Sequence, residues 1–234
     1  DIMAQMAQSV LDMGDAARAL DTPVGSGNVS LYNETDGRAI LPCPVVGMVG
    51  TIDDIATAVG LAPSGPAQAI LVIGQDDSRD DGWLGVSLYA RNLAGDLMAA
   101  PPPVDLDAER RNGLFIQDRI ASGAIAAAHD IGDGGLAVAV AEMCMAGRVG
   151  AHIDLPAEGN RHGWAFGEDQ ARYVVVTDDA AGLLAAARDA GVPAAAIGST
   201  RDGGELQFGD EAAISVEELR AVVEATIPNL MQGG

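Results

Sequence analysis

Four stretches of this chain carry residue types and spacings with chemical potential. The first is Gly25-Ser26-Gly27-Asn28-Val29-Ser30, running on through Leu31, Tyr32, Asn33 and Glu34. Two glycines two apart let a backbone approach a ligand closely, and successive N–H groups can form a nest for phosphate oxygens. Asn28 offers a neutral oxygen for Mg²⁺ and Ser30 a hydroxyl. A plain tight turn between a helix and a strand fits the same residues. The second is His129-Asp130-Ile131-Gly132-Asp133-Gly134-Gly135. Asp130 and Asp133 can hold a cation; equally, Asp133 can cap the helix that follows, and His129 reads as a hydrogen-bonded structural histidine. The third is Gly167-Glu168-Asp169-Gln170-Ala171-Arg172-Tyr173, leading into an apolar run. It suits either a reader of a polar ligand or a salt-bridged rim. The fourth is Pro42-Cys43-Pro44-Val45-Val46-Gly47-Met48-Val49-Gly50, which reads as a structural strand.

Composition narrows the chemistry further. The 234 residues carry 34 acidic side chains against 13 basic ones, a formal net charge of −21. All the basic residues are Arg and there is no Lys. Such a surface repels nucleic-acid phosphates and anionic membranes. Without Lys there is no phosphate-loop lysine and no lysine Schiff base, so phosphate must be held by backbone N–H groups, Arg or a divalent cation. Aromatics make up 3% of the chain, too few for a base-stacking platform. Cys43 and Cys144 lie far apart without metal-ligand spacing and read as free thiols of a reduced, cytoplasmic protein. No apolar stretch is long and uncharged enough to span a bilayer.

The elements that must position these residues alternate between helix and strand. Met3, Met6, Val10, Met13 and Ala17 mark one helical face over residues 2–20. An extended, glycine-rich segment follows, then a turn at Asp36-Gly37, a buried strand over 45–52 and a short helix capped at Asp53-Asp54. Residues 60–67, with Pro63, Gly65 and Pro66, read as a linker or domain boundary. Beyond it, strands are expected over 68–73, 151–155, 172–177, 194–198 and 205–208. Helices are expected over 84–93, 105–128, 134–146, 180–190 and 215–225, with an acidic turn over 76–82. This alternation predicts a mixed α/β (α+β) architecture.

In this order and spacing, SGNVSLYNE, the Pro-Val-Val-Gly-Met-Val-Gly strand, HDIGDGGLAVAVAEM and FGEDQARYVV resemble the large (synthetase) subunit of phosphoribosylformylglycinamidine synthase. That family falls in the aminoimidazole ribonucleotide synthetase superfamily. The resemblance covers the chain to about Val176 and more loosely beyond. It implies that 1–62 is the end of a second N-type, ATP-binding domain and that 67–234 is the second C-type layered α/β domain. It also implies that the chain is the C-terminal part of a longer enzyme.

The implied reaction is ATP-dependent: the formamide oxygen of formylglycinamide ribonucleotide is phosphorylated, and glutamine-derived ammonia displaces phosphate to give the amidine. By the same resemblance Gly27 contacts ATP, Asn28 ligates Mg²⁺ and Ser30 contacts the substrate. The family's catalytic histidines have no counterpart here, so the segment alone is expected to be inactive. The implied partners are the N-terminal half of the same enzyme, a glutaminase subunit or domain, and a small accessory subunit. Cys43 and Gly132 depart from the family's common Thr and Ser. The roles of the HDIGDGG and FGEDQAR counterparts in the enzyme's other half are not carried over. A non-catalytic scaffold and another ATP-using enzyme of the superfamily are the competing readings.

Overall fold

The computed structural model describes residues 2–30, 34–40, 43–74, 83–93, 95 and 99–232. The expected acidic turn over 76–82 lies outside them, as do Leu31, Tyr32, Asn33 and Pro42. The chain divides into two units, Asp1–Asp53 and Asp54–Gly234.

The first unit holds helix α1 (Ile2–Ala19) and a two-residue hairpin, β1 (Glu34–Thr35) with β2 (Arg38–Ala39). Asp36 and Gly37 take positive φ at its turn, as Asp-Gly turns require. No described residue of this unit is buried. The apolar face of α1 is present, but Met3 and Val10 are exposed. Residues 45–52 are a correction to the sequence reading. They form no strand, and Val45 and Val49 are 95% and 99% exposed. A buried strand needs a neighbour for its N–H and C=O groups and an apolar surface for its side chains; among the described residues this unit supplies neither.

The second unit is a layered α/β domain. Its seven-stranded sheet runs β4-β6-β3-β7-β5-β8-β9. These strands are β3 (Ala69–Ile73), β4 (Ala127–Asp130), β5 (Gly150–Ile153), β6 (Tyr173–Thr177), β7 (Ala194–Arg201), β8 (Glu205–Phe208) and β9 (Ile214–Ser215). All neighbours are antiparallel except β5 and β8. The helices are α2 (Leu88–Leu93), α3 (Leu106–Ala121), α4 (Gly135–Gly147), α5 (Arg161–Phe166), α6 (Ala180–Asp189) and α7 (Val216–Gln232).

Period-two alternation along the central strands feeds two cores. Ile70, Val72, Val174 and Val176 pack with Leu136, Val140 and Met143 of α4. Leu71, Ile73 and Val175 pack with Phe115 and Ile116 of α3 and Leu183 of α6. The few aromatics leave this work to Ala and to Ile, Leu and Val, whose branched side chains suit a sheet buried on both faces.

Three local expectations change. Residues 105–128 are not one helix: α3 stops at Ala121, Gly123 takes φ +75°, and the chain re-enters the sheet as β4. An Ala-rich strand carries no period that distinguishes it from a helix. Residues 60–67 are not a free linker. The Ala67 N–H donates to the Thr200 carbonyl, the Ala128 N–H to the Gly60 carbonyl, and the Thr200 hydroxyl to the Gly65 carbonyl. Finally, α7 runs seven residues past its expected end.

Candidate functional site

Gly27, Asn28 and Ser30 lie together in an irregular, fully exposed stretch between α1 and the hairpin. Asp21 takes positive φ where α1 ends, and Pro23 prevents the helix from resuming. Gly25 and Gly27 are not among the residues with positive φ. An alternating left- and right-handed nest is therefore not preformed, and residues 22–30 are irregular. Space around Gly27 is open, with nothing within 4 Å of where a Cβ would sit. The donors on offer are an amide oxygen, a hydroxyl and backbone N–H groups. These are hard, neutral groups of the kind that Mg²⁺ and phosphate oxygens accept. Among the described residues no group of three or more His, Cys, Asp or Glu is placed to hold a metal.

In the second unit, FGEDQAR is the polar hub of the domain. One oxygen of Glu168 accepts both the Gly134 N–H and the Leu88 N–H, each at 2.8 Å. A single carboxylate thus serves the N-termini of α4 and α2, where unpaired donors and the helix dipole favour a negative charge. This corrects the expected Asp133 cap: the capping residue is Gly134, in a left-handed conformation and without a side-chain cap of its own.

Asp169 and Arg172 form a buried ion pair. Ala171 takes φ +59°. It is held by its N–H donating to Glu109 Oε1 (2.9 Å) and by its carbonyl accepting from Asn112 Nδ2 (2.9 Å). Gly74 has to be glycine here, because a Cβ would lie 2.0 Å from the Ala171 carbonyl oxygen. Tyr173 donates to Glu109 Oε2 at 3.3 Å; burial first, then the Glu109 charge, pushes its hydroxyl up to about 12. Of the polar side chains in 168–172, Gln170 alone is exposed. The segment acts here as a structural clasp.

His129 behaves as the sequence suggested. Its Nδ1 meets Asp130 at 3.0 Å and its Nε2 meets Glu142 of α4 at 2.8 Å, joining β4 to the helix above it. Cys144 is buried and its thiol is raised to about 12 by desolvation; Cys43 is exposed, and both are free thiols. Sequence reasoning placed neither role of Glu168, because its partners lie 34 and 80 residues away. No helix among the described residues is long and apolar enough to cross a membrane.

All three loop residues are exposed. Residues 65–211 match the family model for the AIR synthase related protein, C-terminal domain. The chain is 50% identical over 233 residues to the phosphoribosylformylglycinamidine synthase subunit PurL of Methylocella silvestris, covering 99% of this chain and 31% of that one. It is also 50% identical over 226 residues to the PurL subunit of Acidiphilium cryptum, covering 96% and 30%. The chain thus spans about a third of the length of these relatives. Among solved structures, T. maritima PurL complexed with FGAR has a TM-score of 0.59 at 23% identity, over 70% of this chain and 30% of that one. That likeness bears on the fold. Matching the family model over well over half its length, the chain belongs to the AIR synthase related family and carries its C-terminal domain.

Proposed function

We propose that the chain is the C-terminal part of a phosphoribosylformylglycinamidine synthase large subunit. The whole polypeptide would convert formylglycinamide ribonucleotide and glutamine-derived ammonia to the formylglycinamidine ribonucleotide with consumption of ATP, in the cytoplasm. The observation that carries this is end-to-end similarity: PurL subunits align over 99% of the chain at 50% identity, so the likeness extends well beyond the matched C-terminal domain. Residues 1–62 would be the end of the second N-type domain and 67–234 the second C-type domain. The partners would be the N-terminal half of the same enzyme, a glutaminase subunit or domain, and a small accessory subunit.

Within that reading Gly27 would admit ATP, Asn28 would ligate Mg²⁺ and Ser30 would contact the ribonucleotide. ATP would supply the phosphoryl group, and bound Mg²⁺ would offset phosphate charge beside a strongly acidic, lysine-free chain. The open space at Gly27 and the neutral oxygens beside it support the assignment. The loop residues position; they include no general acid or base.

The test is Asn28→Ala in the longer polypeptide, read by Mg²⁺ and ATP titration of turnover alongside thermal unfolding. Loss of a metal ligand misplaces the phosphates and lowers activity by about 100-fold. Unfolding stays within roughly 0.5 kcal/mol, because the side chain is exposed. Unchanged kinetics in the folded variant remove the metal role.

A further inference from the structure

Helix α7 (Val216–Gln232) begins within the domain and ends outside its packing. Val216, Leu219, Val223, Ile227 and Leu230 recur at spacings of three and four, which places them on one face. The first two positions find partners: Val216 is 4% exposed, and Leu219 packs against the core beneath the sheet. The next three do not. Val223, Ile227 and Leu230 are 59%, 66% and 70% exposed, and Met231 beside them is 80% exposed. One continuous apolar stripe is therefore half covered and half bare.

The bare half also lacks charge. Glu217, Glu218, Arg220 and Glu224 all lie in the first part of α7, where Arg220 pairs with Glu217 and Glu224. Residues 225–232 carry no charged side chain at all, in a chain that is 20% charged. An uncharged helical end with a bare apolar stripe is suited to burial. The family model ends at residue 211, so α7 follows the matched domain.

We propose that Val223, Ile227 and Leu230 form a docking stripe for an apolar surface on the part of the longer polypeptide that lies outside residues 1–234. The proposal rests on the reading of the chain as one part of a larger subunit. The relatives it matches are about three times as long, so the greater part of such a polypeptide lies outside residues 1–234. A surface on the same polypeptide is present at high effective concentration and avoids the rotational and translational cost of association. A second copy is the poorer occupant, because each copy brings a net charge of −21 and like charges oppose the approach.

The experiment uses the longer polypeptide. Leu230→Cys and, on the opposite exposed side of α7, Glu218→Cys are each labelled with a maleimide in native buffer and after unfolding in urea, and the modified peptide is quantified by mass spectrometry. Cys at 230 is expected to label about tenfold or more slowly in the native state, at a rate independent of protein concentration. Cys at 218 is expected to label equally fast in both. In parallel, Ile227→Asp lowers the unfolding temperature of the longer polypeptide, a readout that does not need the cysteine. Equal labelling at 230 in both states overturns the proposal. So does protection that grows with concentration, which assigns the stripe to a second copy, or protection that appears only on adding a separate subunit. A polypeptide that makes the amidine yet leaves position 230 open removes this inference alone. A gene that encodes no further residues removes it together with the functional reading.

Discussion

Single side chains account for much of the order in the second unit, and Glu168 is the sharpest case. Its carboxylate oxygen satisfies backbone donors at the starts of two helices. Glu168→Ala leaves both N–H groups without that acceptor and removes a negative charge from two helix N-termini. The expected loss is about 1–3 kcal/mol in urea unfolding. Glu168→Gln keeps an acceptor oxygen and should recover a large part of that loss. Equal losses in the two variants would assign the effect to charge alone, and no loss in either would mean that water caps these helices adequately. Asp169 and Arg172 illustrate a different economy: their pairing is internal and buried, so removing one partner strands a charge.

At the scale of elements, the close approach of α4 to α5 depends on glycine. Gly135 has φ +72°, and a Cβ there would lie 2.7–2.8 Å from the backbone atoms of Phe166 and Gly167. Gly135→Ala adds left-handed strain and a backbone clash, so the expected destabilisation is about 2–4 kcal/mol. Gly123, which ends α3, has a similar φ of +75° but nothing within 4 Å of a Cβ. Gly123→Ala should therefore cost only the strain, about 1–2 kcal/mol. Thermal or urea unfolding of the two variants separates conformation from packing. A loss at Gly135 no larger than that at Gly123 would show that α5 shifts to make room.

Over the whole molecule, 34 acidic residues face 13 arginines, and long-range repulsion acts against compaction. Raising the salt from about 20 mM to about 500 mM shortens the screening length severalfold. The unfolding temperature is expected to rise by several degrees, since 1 kcal/mol corresponds to roughly 2–4 °C in a chain of this size. The exposed pairs Arg18–Asp15 and Arg161–Glu211 are worth little individually, so their screening does not reverse the trend. A fall in unfolding temperature with salt would mean that ion pairs outweigh the net repulsion.

Sequence alone was enough to locate α1, α4, α6 and most strands of the second sheet, because their apolar periods and the Gly and Pro signals between them are local properties of the chain. It also supplied the family resemblance, carried by four ordered motifs whose residue types can be read without coordinates. Tertiary structure decided the rest. Whether residues 45–52 form a strand depends on a neighbour that is absent among the described residues of the first unit. The Ala-rich β4 became a strand only because β6 lies beside it. Glu168, rather than the adjacent Asp133, serves the start of α4, because two left-handed glycines turn that N–H toward a loop 34 residues away. Patterns along the chain report the partner type that a residue requires, whereas only the packed chain determines which partner meets it.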